Sequence, residues 1–210
     1  MELQRESRRE AVSGHKRALI LKAAREVFEA EGLEGASLRA IAARAGYTPA
    51  ALYFHFDSKE AIYAEVLRAS LSALGNAMND AVSKARSPEA RLQAAAMAFF
   101  RFYAENPRDL DLGFYLLRGG MKPAGLGQTR DKVLNAALEE ALHPIAESAK
   151  VLGASKGEAN LLMVDVFAHA AGLLLLLHTG RIRMFGASAP AQMEAYVRDR
   201  IENFGRAEPC

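Results

Sequence analysis

Cysteine is almost missing from this chain. The single residue of that type, Cys210, is the last of 210, which excludes a disulfide framework and a cysteine metal site. The first residues are charged and lack an apolar run, so no signal peptide is expected and the reducing cytoplasm is the expected compartment. No low-complexity run and no internal repeat is present, and no segment alternates with the period of two that a strand requires. The most apolar stretch, Leu161 to Leu177, contains Asp165, His169 and Gly172. It reads as too short and too polar to cross a bilayer, and no membrane partner is expected. A net charge of +2 singles out no class of partner.

What is present is an apolar half and a charged quarter, enough to bury a core in one ordinary domain plus a small one. The periodicity is helical throughout, giving an all-α fold of about nine helices. The informative stretch runs from Ser37 to Phe56. Ser37 suits an N-cap, because its hydroxyl can accept from a backbone N–H within the next turn. Leu38, Ile41, Ala42 and Ala45 then form one apolar face. Gly46 stands where a left-handed residue closes a helix. Thr48 can cap a second helix, with Pro49 at its first position and Leu52 and Phe56 facing inward. This is a helix-turn-helix. Its charged residues are Arg39 and Arg44, both basic, with Lys59 just beyond. A short helix held proud of its domain fits the DNA major groove. A basic lead-in supports that reading: seven basic residues against two acids lie between Arg5 and Arg25, suited to phosphate contact.

These residues carry a family resemblance. Leu38-Arg39-Ala40-Ile41-Ala42, Ala45-Gly46, Leu52-Tyr53-Phe54-His55-Phe56 and Ser58-Lys59-Glu60-Ala61-Ile62 make the segment from about His15 to Leu67 similar to the N-terminal domain of TetR-family transcriptional regulators. The resemblance implies that Ser37, Arg39, Thr48, Tyr53, His55 and Lys59 lie on or beside backbone phosphates, while Pro49 and Ala50 face base edges. Ala50 stands where the family often has glycine. Its methyl either blocks close approach to DNA or packs on a thymine C5-methyl.

Three parts are expected: residues 1–14 as a flexible basic arm, 15–60 as the helix-turn-helix domain, and 61–210 as an effector-binding and dimerisation domain. Ile20, Ala24, Val27 and Phe28 give the first helix its packed face, and Gly32 ends it. Asp57 with Glu60 reads as a capping box opening a long helix to about Ala85. Ser87-Pro88 restarts the chain, and Asn106-Pro107 breaks it. A short helix is expected over Asp109 to Arg118. Another follows from Thr129 to Leu152, bent at Pro144. Ser155 and Glu158 form a second capping box, opening a helix to about Gly180 that is apolar nearly all round and therefore buried. Pro190 opens the last helix.

The Gly153-Ala154-Ser155-Lys156-Gly157 run matches a hydrolase nucleophile pattern, but that mechanism needs a strand before the serine, and here a helix precedes it. No catalytic residue is assigned. Asp165 and His169 are i, i+4 partners expected to satisfy each other, so neither a metal nor a cofactor is expected. By architecture, the family resemblance implies a homodimer and an effector site in the second half. The candidate lining is Phe99, Tyr103, Phe114, Tyr115, Met163, Phe167 and His169, suited to a small, largely apolar molecule. The candidate dimer face is Leu162, Val166, Ala170 and Leu173 with Tyr196 and Phe204. The function expected is a homodimeric repressor released from a palindromic DNA operator by that effector. The alternative is an architectural or cell-division factor that binds DNA with no effector.

Overall fold

The computed structural model describes residues 2–114 and 125–204, with backbone alone for 2–10 and for Phe204. Among them are nine α-helices, one 3-10 turn and no strand. The helices are α1 (Glu2–Gly35), α2 (Leu38–Ala45), α3 (Pro49–Tyr53), α4 (Lys59–Lys84), α5 (Pro88–Glu105), α6 (Pro107–Gly113), α7 (Gln128–Val151), α8 (Lys156–His178) and α9 (Ala189–Phe204). They divide into two compact units, one of residues 1–69 with 108–134, the other of 70–107 with 135–210. The boundary between these two units falls inside α4, between Ala69 and Ser70. Sequence alone did not show that 108–134 would join the first unit.

In the first unit, Ile20, Ala24, Val27 and Phe28 of α1 are buried as their spacing predicts. Ile41, Ala42, Leu52 and Phe56 are buried in the same unit, and Phe28 packs edge-on against Tyr63 of α4 at 4.8 Å. Two expectations change here. Residues 2–14 continue α1 as helix. The cap of α4 is Ser58, whose Oγ accepts from Ala61 N at 3.1 Å. Asp57, expected as the cap, instead accepts from Arg130 Nη2 on both carboxylate oxygens, at 3.0 and 3.1 Å. A hydroxyl one residue later serves the helix, which frees the carboxylate for the planar cation it matches.

The same unit holds α6 against α1 by charge. Asp109 is buried, and Arg25 Nη2 reaches it at 2.5 Å while Arg25 Nε reaches Glu29 at 2.9 Å. Arg108 closes the set on Glu29 at 2.7 Å, and Tyr63 Oη donates to the Leu112 carbonyl at 2.9 Å. The helix begins at Pro107 rather than Asp109, because proline tolerates the first helical position. Residues 115–118 of the expected helix, with Gly119, Gly120 and Met121, lie outside the described residues.

The second unit packs α5, α8 and α9 on one another. Its core includes Leu92, Phe99, Phe100, Leu162, Val166, Leu174, Met193 and Val197. A side chain at Gly75 of α4 would meet the Ala141 Cα of α7 at 3.5 Å, so glycine lets the two backbones come close. Helix α7 runs on through Pro144, and Ser148 Oγ donates to the Pro144 carbonyl at 2.7 Å. Ser155 and Glu158 form the capping box expected at α8.

Burial of α8 is the main correction. Ala159, Leu162, Val166, Ala170, Leu173 and Leu174 are buried within the chain, but Leu161, Val164 and Leu175 are 67%, 58% and 60% exposed. The face proposed from sequence for a dimer is thus the intramolecular one. With apolar residues on every side, the periodicity of α8 carries no phase to say which stripe packs. At 23 residues α8 is also long and apolar enough to cross a membrane, against the expectation from its polar interruptions.

Candidate nucleic-acid interface

The corner between α2 and α3 is built by local chemistry. Ser37 Oγ accepts from Ala40 N at 3.1 Å, closing the N-terminus of α2. At the other end Gly46 adopts φ 74°. Its N–H donates to Ala43 O at 3.2 Å, and that of Tyr47 donates to Ala42 O at 2.9 Å, the paired bonds of a Schellman closure. A residue with a Cβ would be strained at this φ. Thr48 Oγ1 accepts from Ala51 N at 3.3 Å, and Pro49 supplies its fixed φ at the first position of α3. The chain leaves α3 through His55 N and Phe56 N, both donating to Leu52 O at 2.9 Å.

Each end of this element is anchored. Arg17 of α1 donates to the His55 carbonyl at 2.7 Å, pairs with Glu65 of α4 and lies 4.2 Å over the Phe56 ring. Lys59 Nζ donates to the Ala36 carbonyl at 3.0 Å, tying the start of α4 to the turn before α2. Arg44 pairs with Glu26 of α1 at 2.9 Å. The basic residues counted in the sequence are therefore not equally available. Arg17, Lys59 and Arg44 hold the fold, and the groups that meet them, Glu65, the Ala36 carbonyl and Glu26, lie outside the helix-turn-helix, beyond the reach of a local reading. Arg39 is exposed and has no ion-pair partner among the described residues.

Ser37, Thr48, Pro49 and Ala50 are exposed, Tyr53 is 60% exposed, and His55 is half-buried. Phe54, given no role from sequence, is 88% exposed. Its signal was available: an aromatic residue directly after Tyr53, in register with neither Leu52 nor Phe56.

The effector residues divide. Phe99, Tyr103 and Phe167 come together, with ring centroids 5.3 Å apart for Phe99–Tyr103 and 5.7 Å for Phe99–Phe167. His178 Nε2 lies 3.0 Å from the Tyr103 carbonyl. Met163 is half-buried. Phe114 falls in the first unit, and Tyr115 lies outside the described residues. His169 does not pair with Asp165 as expected. Its ring stacks on Tyr196 of α9 at 3.9 Å and 12°, with Nε2 unpartnered. Burial, and then the charge of Arg200, hold the imidazole below its ordinary pKa. Burial likewise raises the Tyr196 phenol. A groove of about 640 Å³ in the same unit is lined by Met97, Arg101 and Phe102 of α5, Asp80 and Lys84 of α4, and Glu194 of α9 among others. None of the residues named from sequence lines it. Among the described residues, no three His, Cys, Asp or Glu side chains form a group able to hold a metal.

Residues 20–66 match the family model described as bacterial regulatory proteins, tetR family. Among curated proteins, the chain is 35% identical over 99 residues to the HTH-type transcriptional activator FasR of Mycolicibacterium smegmatis, covering 47% of this chain and 45% of that one. It is 38% identical over 85 residues to the HTH-type transcriptional repressor KstR2 of Mycobacterium tuberculosis, covering 40% and 42%. The matches thus span less than half the length of these relatives. Solved structures extend the likeness in fold. A TetR-like transcriptional regulator from Rhodococcus sp. RHA1 superposes with TM-score 0.65 at 18% identity, over 89% of this chain and 96% of that one. The transcriptional regulator FadR from Bacillus subtilis, solved with stearoyl-CoA, gives TM-score 0.65 at 16% identity over 91% and 99%. Residues 20–66 thus match the tetR family of bacterial regulatory proteins, and the chain as a whole has the fold of TetR-like regulators.

Proposed function

We propose that the chain is a DNA-binding transcriptional regulator that acts as a homodimeric repressor and leaves its operator when a small, largely apolar effector binds. The observation that carries the reading is the matched helix-turn-helix, whose second helix is capped, anchored at both ends and exposed on one face. In this reading Ser37, Arg39, Thr48, Tyr53, His55 and Lys59 lie on or beside phosphates, and Pro49 and Ala50 approach the bases. The ammonium of Lys59 keeps two N–H groups beyond the one given to Ala36, so its structural bond leaves a phosphate contact open.

A single short helix binds DNA weakly, and two half-sites one turn apart need two copies. The outward stripe of α8, namely exposed Leu161, Val164, Ala168 and Leu175 with half-buried Ala171, repeats at alternating steps of three and four. That is the spacing of a helix–helix seam, and it replaces the buried face chosen from sequence. Residues 15–69 serve as the DNA-binding part, and the second unit, residues 70–107 with 135–210, serves for dimerisation and effector binding. For the effector, the Phe99–Tyr103–Phe167 cluster favours an apolar body with one or two polar groups. FadR, similar in fold, was solved with stearoyl-CoA, which carries one long apolar chain. Helix α4, which crosses the unit boundary unbroken, is the element through which effector and operator oppose each other.

Binding of the full chain to duplex DNA at several salt concentrations tests the first step. Arg39→Ala should weaken binding to every sequence alike and lower the slope of log affinity against log salt by about one unit. An unchanged slope removes Arg39 from the phosphate contacts, and no binding at low salt removes the function.

A further inference from the structure

The exposed surface of α3 carries no charged or amide side chain. Between Tyr47 and Phe56 there is no Arg, Lys, Asn, Gln, Asp or Glu. Those residue types supply the bidentate contacts to guanine and adenine and the acceptor for cytosine. The nearest arginine before them, Arg44, is turned to Glu26 at 2.9 Å. Lys59, just after, is held on the Ala36 carbonyl at 3.0 Å. What α3 offers instead is two short ladders, Pro49 with Tyr53 and Ala50 with Phe54, each four residues apart and so on one side of the helix. Helical geometry persists through Phe54, at φ −71° and ψ −18°. With Tyr53 60% and Phe54 88% exposed, this is an apolar patch at the tip of a small domain, the kind of surface that marks an interaction site.

The major-groove edges of the bases display one apolar group, the thymine C5-methyl. Resting on the reading of α3 as a major-groove helix, we propose that this chain recognises its half-sites chiefly through thymine methyl groups. Pro49 and Ala50 make the contacts, and the Phe54 ring covers them from the C-terminal end of α3. Hydrogen bonds from Thr48 and Tyr53, with the charge of Arg39, position the helix without choosing the base. Ala50 then has a stated use: its methyl, where the family often carries glycine, completes the apolar contact rather than obstructing approach.

The test uses the full chain and a randomised duplex pool, from which a bound sequence is enriched by selection. That duplex is remade with deoxyuridine for thymidine at each position in turn, which removes the methyl and keeps every hydrogen-bonding group. One or two thymines per half-site should then show a loss of about fourfold each, the equivalent of one buried methylene. Replacing such an A·T pair by 5-methylcytosine paired with guanine should bind more tightly than the same pair with unmethylated cytosine. In Ala50→Gly the affinities for the thymidine and deoxyuridine duplexes should converge. Phe54→Ala, at an exposed position outside the core, is the second variant and should narrow the same difference. Equal affinity of the wild-type chain for both duplexes overturns the proposal while leaving DNA binding intact. Failure of any duplex to enrich overturns both readings.

Discussion

Leu161→Glu puts a carboxylate in the exposed seam of α8 at a position 67% open to solvent in the single chain, so folding of the chain itself should hardly register the change. Burying a Leu or Val side chain fully is favourable by about 1.5–3 kcal/mol. With about 60% of Leu161, Val164 and Leu175 still exposed, roughly 1–2 kcal/mol per residue remains to be gained when a second copy covers the seam. An isologous interface repeats each substitution, so one change removes about 2–4 kcal/mol before any penalty for the two buried carboxylates. The dimer should therefore weaken by about 30- to 1,000-fold. Sedimentation velocity over a concentration series reads this directly, with circular dichroism to confirm that the helices remain. Leu162→Glu, one residue along and buried, should instead lower the melting temperature of the chain. If the wild-type chain sediments as a monomer at micromolar concentration, or if Leu161→Glu leaves the dimer as tight as before, the seam is not the interface.

Two further outcomes follow from the anchors and the stacked histidine. Lys59→Ala removes a charged partner from the Ala36 carbonyl, a bond worth about 1.5–3 kcal/mol and less here because Lys59 is half-exposed. A fall in melting temperature of about 3–6 °C is expected, together with weaker binding to every DNA sequence. Weaker binding without any change in melting temperature would leave Lys59 with the phosphate role alone. His169 is held below its ordinary pKa of 6.5 by burial. The unfolded chain takes up that proton near 6.5 and the folded chain only at lower pH, so the contribution is complete above 6.5 and declines as pH falls from there toward the folded value. His169→Gln should flatten the dependence of melting temperature on pH in that window, and an identical dependence in both proteins would refute it.

The parts legible in the sequence are those decided within one turn of chain. Ser37, Gly46, Tyr47 and Thr48 close the corner by bonds to backbone three to five residues away, and Pro49 adds its fixed φ, which is why the helix-turn-helix could be read residue by residue. The Ser155–Glu158 box is of the same kind. Asp57 and Ser58 show where that reading ends. Both can cap, and Arg130, 73 residues on, decides between them. The same holds for the charges: Arg17, Arg44 and Lys59 look free until Glu65, Glu26 and the Ala36 carbonyl are brought to them. Helix α8 fails differently, since a stripe can be phased only against polar residues and Asp165 is almost alone. The Asp165–His169 spacing was correct as helical geometry, but the ring found a better surface in Tyr196 of α9.

The most direct measurement is a hydroxyl-radical footprint of the full chain on the duplex enriched from the random pool. Two protected patches are expected, related by a two-fold axis and centred about 10–10.5 base pairs, or a multiple of that, apart. Both should be lost together in Arg39→Ala at moderate salt. A footprint of uniform, unphased protection, or no protection at any salt concentration, would contradict the assignment of α2 and α3 as a sequence-reading pair.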